Sequence, residues 1–193
     1  MNKDFKNLSN NQLLEVIIKK DGKSNLAFSE FYDRFQKDVR TYCKYLLESN
    51  SYVEDIFQET FYDFYKNIVN NKEVPENPVG YLMRIARYKC LKHNRDKKVN
   101  VSFDDISYDK EHSNGLQYED EELMELIKNS LVFIEEKYRE VFILKEFNGY
   151  THEKISEIIG ITVANSKIRL YRANKELNKI LEPYINDIKK NYE

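Results

Sequence analysis

Glycine and proline are scarce, five and three among 193 residues. That argues against an all-β chain and favours helices. The two cysteines, Cys43 and Cys90, stand far apart in helical patterns, and read as buried, reduced thiols of a cytosolic protein. The three histidines, His93, His112 and His152, share no metal-ligand spacing with them. No Ser-His-Asp or Cys-His constellation is visible, and the clustered carboxylates fall on outer helical faces. An enzyme is therefore the least favoured class. The N-terminal MNKDFKNLSNN has no apolar signal core, and no apolar run approaches a membrane span. A soluble, cytoplasmic chain without a cofactor or metal is expected.

The formal net charge is only −2, so the whole-chain balance announces no polyanion partner. The distribution does. Arg84, Arg87, Lys89, Lys92, Arg95, Lys97 and Lys98 cluster against a single acid, Asp96. Asp104, Asp105, Asp109, Glu111 and then Glu119 to Glu122 follow, opposed only by Lys110. Local fields of opposite sign govern binding more than their sum does.

Helical periodicity runs through most of the chain. Ser9-x-x-Gln12 reads as a capping box for a first helix with Leu13, Leu14, Ile17 and Ile18 as its stripe, ended by Asp21-Gly22. A second helix starts near Ser24. Ser51-x-x-Glu54 reads as another capping box, opening a helix whose apolar face includes Ile56, Phe57, Phe61 and Phe64. Asp55, Gln58, Glu59, Tyr62 and Asp63 lie toward its other side; taken alone, they read as a solvated acidic face. NNKEVPENP at 70–78 reads as a loop. From Gly80 to about Lys98 a basic helix interleaves Tyr81, Tyr88 and His93 with cations. That mixture suits phosphates and unstacked bases, or a solvated basic surface. Polar, acidic residues 99–118 read as a linker between two domains.

The C-terminal part centres on YTHEKISEIIGITVANSKIRLYRANKEL at 150–177. Thr151 is placed to cap one helix, Gly160 to end it at positive φ, and Thr162 to cap a second. Val163, Ser166, Leu170, Ala173 and Leu177 are its inward positions. Asn165, Lys167, Arg169, Arg172 and Lys175 are expected on its outer face. Two helices, a Gly corner and a cationic second helix describe a helix-turn-helix, or a helical hairpin with a solvated charged face. Pro183 is expected to close the ordered part and leave a short charged tail.

Three stretches in order carry a family resemblance. DIFQETF at 55–61, GYLMRIARYKCLKHNRDKK at 80–98 and YREVFILKEFNGYTHEKISEIIGITVANSKIRLYRANKEL at 138–177 resemble segments of bacterial RNA polymerase sigma factors of the extracytoplasmic-function (ECF) group. AFSEFYDRF at 27–35 fits the first helix of that family's second region. The resemblance implies an all-α chain of two small helical domains. They are a second-region bundle at 24–98 and a fourth-region helix-turn-helix at 119–182, joined by the acidic linker. Residues 1–23 form an N-terminal helical extension and 183–193 the tail.

The resemblance also implies a non-enzymatic subunit that takes core polymerase to promoter DNA, with an anti-sigma factor as a further candidate partner. Asp55, Gln58, Glu59 and Asp63 then become core-polymerase contacts. Asn70, Asn71, Lys72, Arg84, Arg87, Tyr88, Lys89, Lys92 and Arg95 would serve the minus-ten element. Thr162, Val163, Asn165, Lys167, Arg169 and Arg172 would serve the minus-thirty-five element. The sequence departs from the family pattern in having Tyr81 where Trp is usual, Tyr88 where Asn is usual, and Asn165-Ser166 where Thr-Val is frequent. A helix-turn-helix regulator that never docks on polymerase would explain the C-terminal part but leave DIFQETF and the basic helix without a role. A helical adaptor would show no salt-dependent DNA binding.

Overall fold

The computed structural model describes residues 5–100 and 118–191, all of whose regular elements are helical. The expected linker lies mostly outside them. The first bundle contains α1 (Asn10–Ile18), α2 (Ser24–Leu46), α3 (Val53–Asn71) and α4 (Pro78–Asn100). The C-terminal set contains α5 (Tyr118–Leu131), α6 (Glu136–Phe142), α7 (His152–Ile159) and α8 (Val163–Asn191).

Local chemistry sets most helix boundaries. Ser9 and Gln12 form the reciprocal capping box of α1, at 2.7 and 3.2 Å. That helix stops before Asp21-Gly22, with Lys20 at φ 51°. The Asp21 carboxylate then accepts from Lys23 N–H at 2.9 Å. The second expected capping box does not form. A 3-10 turn, Asn50–Tyr52, precedes α3, and Ser49 rather than Ser51 caps it. Glu54 is drawn to Arg40 of α2 at 3.2 Å. Helix α3 extends into the expected loop and ends at Lys72 with φ 52°. Pro78 opens α4, where its missing N–H costs nothing, and Asn77 Oδ1 accepts from Gly80 N–H at 2.9 Å.

The first bundle closes around aromatic rings. Phe31 of α2 and Phe64 of α3 stack with centroids 4.9 Å apart, and Leu13, Ile17, Leu46, Leu82 and Met83 are fully buried around them. Tyr81 fills a half-buried site beside Phe64, its hydroxyl accepting from Asn67 at 3.1 Å. Cys43 and Cys90 are buried free thiols whose sulphurs meet at 3.7 Å.

In the C-terminal set, Leu131, Val141, Leu144, Ile155 and Ala173 form the buried centre. The chain leaves α6 through a π-helical turn, Ile143–Phe147, and reverses at Gly149 with φ 69°. Helix α7 is capped by Thr151 and ended by Gly160 at φ 79°; the Thr162 hydroxyl then accepts from Asn165 N–H at 3.1 Å. This is the helix-turn-helix read from the sequence. Ser166 is fully buried but bonds His152 Nδ1 at 2.9 Å, so a polar pair stands at an inward position expected to be apolar. Helix α8 runs through Pro183 to Asn191 rather than stopping at the proline. One lost backbone hydrogen bond on an exposed turn is evidently tolerated there.

The corner between α7 and α8 should depend on Gly160. A Cβ there meets nothing within 4 Å, so only the left-handed backbone resists a side chain. Gly160→Ala should cost about 1–2 kcal/mol, read as a lower midpoint in chemical denaturation. An unchanged midpoint would mean that the turn does not hold this conformation.

Candidate nucleic-acid and docking surfaces

Helix α3 presents Asp55, Gln58, Glu59 and Tyr62 at positions that share one exposed face, with Asp63 at its margin. The burial of Ile56, Phe57, Thr60, Phe61 and Phe64 forces that division. Glu59 and Asp63 do not stand alone. Lys89 reaches across from α4 and pairs with both, at 3.0 and 2.6 Å. Burial works against the Lys89 charge, but the two carboxylates outweigh it and hold its pKa above the ordinary value.

The basic residues of α4 are therefore sorted into three directions. Arg84, Tyr88, Lys92 and Arg95 recur at i, i+4, i+8 and i+11 and are exposed, Tyr88 at 64%. They form one basic and aromatic stripe, opposite buried Leu82, Ala86, Cys90 and Asn94. Lys89 turns to α3. Arg87 turns to the C-terminal set. Asn70, Asn71 and Lys72 are exposed at the end of α3.

Arg87 is met there by Glu140 of α6. The Glu140 carboxylate accepts from Arg87 Nε at 2.7 Å and Nη2 at 3.3 Å, and from the Tyr42 hydroxyl of α2 at 2.8 Å. Glu140 is 2% exposed. Burial raises the Tyr42 phenol well above its usual pKa, and Glu140 adds to that. Burial opposes the Arg87 charge, yet Glu140 more than offsets it. Around this pair, Asp38 accepts from Tyr150 at 2.7 Å and its carbonyl from Asn148 at 2.8 Å. Tyr45 and Phe147 stack with centroids 3.9 Å apart, and Asn77 donates to Glu157.

On α8 the candidate residues do not share a single surface. Residues two apart on a helix point about 160° from one another, so Lys167 and Arg169 occupy opposite flanks. Asn165 and Arg169 are bonded at 3.2 Å. Arg172 donates to the Tyr138 hydroxyl at 2.6 Å and lies over that ring. Thr162 caps the helix, and Val163 is half-buried behind it.

Two family descriptions match the chain in the order the helices occur. "Sigma-70 region 2" matches residues 31–99, and "Sigma-70, region 4" matches residues 134–177. The chain belongs to the sigma-70 family, in its ECF group. RNA polymerase sigma factor SigZ of Bacillus subtilis is 24% identical over 160 residues, covering 81% of this chain and 88% of that protein. The ECF RNA polymerase sigma factor SigW of the same organism is 28% identical over 185 residues, covering 87% and 98%. The solved structure of the sigma factor RpoE of Bartonella quintana, in complex with the anti-sigma factor NepR, superposes with a TM-score of 0.62. It has 20% identity and covers 80% of this chain and 96% of that one.

Sequence reasoning missed two features of this sigma factor. Glu140 lies between Arg139 and Val141 in YREVF, and nothing local to it names partners 53 and 98 residues away. Ile168 and Tyr171 are 53% and 68% exposed on α8. A helical wheel centred on the buried Ser166, Ala173 and Leu177 puts them outward, between the cations of the two flanks.

Glu140→Ala should strand Arg87 and Tyr42 at the contact between region 2 and region 4. Removing one partner of a buried pair costs about 3–5 kcal/mol. The expected outcome is a larger radius of gyration in small-angle scattering and faster amide exchange along α2 and α4 near the contact. Far-ultraviolet circular dichroism should be unchanged. Glu140→Gln, which keeps an acceptor for Tyr42, should fall between. Unchanged scattering and exchange would show that this carboxylate does not hold the two regions together.

Proposed function

We propose that this sigma factor divides its work among three surfaces. The protein binds core RNA polymerase and directs it to promoters, as a transcription initiation factor. The exposed face of α3, with Asp55, Gln58, Glu59 and Asp63, is the docking surface for core polymerase. Polar and charged groups suit an interface that must also release. The stripe Arg84–Tyr88–Lys92–Arg95 of α4, with Asn70, Asn71 and Lys72 nearby, holds the opened minus-ten strand. Cations meet its phosphates and the exposed Tyr88 ring offers a face to an unstacked base. The start of α8, from Thr162 and Val163 through Asn165, Lys167 and Arg169, faces the minus-thirty-five duplex. Arg172 adds a flanking contact.

One observation carries this reading: a single stripe on α4 joins three cations to a largely exposed tyrosine. A merely solvated helix needs no aromatic at its outermost position. Lys89 enters indirectly, by neutralising part of the docking face. Arg87 gives Nε and Nη2 to Glu140, so a bidentate grip on phosphate by Arg87 competes with the contact between regions 2 and 4. An inhibitor of the anti-sigma class is a further partner, as it is for the Bartonella quintana RpoE. Among the described residues no helix is long and apolar enough to cross a membrane; the cytoplasm is where such a factor would meet polymerase.

Run-off transcription with core polymerase on promoters of the source genome tests the whole reading. Two variants test its parts. Asp55→Arg with Glu59→Arg should lower affinity for core polymerase at least tenfold in a titration, with helical content retained; unchanged affinity removes α3 from the interface. Tyr88→Ala with Lys92→Ala should reduce permanganate reactivity of the minus-ten thymines more than it reduces closed-complex binding. Normal melting would take the α4 stripe out of promoter opening.

A further inference from the structure

In its first two turns the outward centre of α8 is apolar, although the flanks are cationic and Lys175 brings charge back to that line two turns beyond Ile168. Ser166, Ala173, Leu177 and Leu181 are buried and fix the inward direction of the helix. Opposite them, by helical spacing, stand Ala164 and Ile168 one turn apart. Ile168 is 53% exposed and Ala164 is exposed. Lys167 and Tyr171 lie to one side, Asn165, Arg169 and Arg172 to the other. A lone exposed isoleucine needs no explanation. This one occupies the middle of the surface that the surrounding charges would press against a polyanion, in the first two turns, which enter the groove.

We infer that Ile168 is a specificity-determining residue that reads thymine C5-methyl groups in the major groove of the upstream promoter element, with Ala164 giving the helix room to approach. This rests on the reading of α8 as the recognition helix. The groove offers one apolar group to such a side chain, the thymine methyl. Cytosine at the same place presents an amino donor and no methyl. Ile168 is β-branched, so in a helix it holds essentially one χ1 rotamer. It meets a methyl without first losing much side-chain freedom. Cations that grip phosphates do not make this distinction, because phosphates are alike at every base pair. Lys167, Arg169 and Arg172 would set affinity and register, and Ile168 would set a thymine preference within that register. Burying one methyl is worth about fourfold in binding.

Uracil differs from thymine by that methyl alone. The probe is a pool of short duplexes with a randomised central stretch, prepared once with thymine and once with deoxyuridine in its place. The full chain, bound to core polymerase, is used to select from both. The expected result is a preference of about fourfold for thymine over cytosine at one or two positions of the first pool, lost in the uracil pool. Ile168→Ala should show in the thymine pool the flat preference that the wild type shows with uracil. Its preferences elsewhere should be unchanged. Alanine at an exposed helical position keeps the helix, and the uracil arm needs no variant. Identical preferences in the two pools would overturn the assignment, as they would if the apolar strip served a protein partner instead. So would an Ile168→Ala pattern matching the wild type in the thymine pool. Failure to enrich any sequence from either pool would overturn the recognition-helix reading as well.

Discussion

A carboxylate in the protein interior has to have its oxygens met by donors, because burying them unpaired is costly. Glu140 satisfies that requirement with groups that belong to the other half of the chain. Tyr42 comes from α2 and Arg87 from α4, and both point at the same oxygen. The arrangement of region 4 on region 2 follows from this. The π-helical turn after α6 then sets Phe147 on Tyr45, and Asn148 and Tyr150 on Asp38. A purely apolar contact would tolerate sliding. Short hydrogen bonds to charged groups fix register, at the cost of desolvating the ions. Such a contact is strongly unfavourable to leave half made.

That geometry links the two halves of the proposed function. Arg87 belongs to the basic helix but is spent on an internal partner. Arg84, one turn before it, and Tyr88, next to it in the chain, remain outside. The helix therefore presents part of its charge to solvent and holds part in reserve. How much of its cationic surface is available depends on whether region 4 is docked.

Local features were legible in the sequence wherever one residue type has a dominant physical reason to be there. Ser9 with Gln12, Thr151, Gly160 and Thr162 all sit where a side-chain acceptor or a positive φ is needed. The two helical units followed from periodicity, and the family from ordered motifs. Ser51 was misread because Ser49 is two residues away with the same chemistry, and tertiary pull on Glu54 by Arg40 decided between them. The shared outer face assigned to Lys167 and Arg169 failed on simple geometry. The contacts of Glu140, Lys89 and Asp38 had no sequence signal, because each joins elements whose approach only the packed core determines.

The clasp of Lys89 between Glu59 and Asp63 has a consequence for how this surface can change over generations. A substitution at Glu59 that tunes the proposed fit to polymerase leaves Lys89 with Asp63 alone, on the helix proposed to hold the opened strand. A substitution at Lys89 leaves two carboxylates side by side on the proposed docking face. Neither helix can drift without disturbing the other's chemistry. Tolerated changes should therefore arrive in compensating pairs, and a loss at one of these three positions is the natural place to look for a suppressor at another.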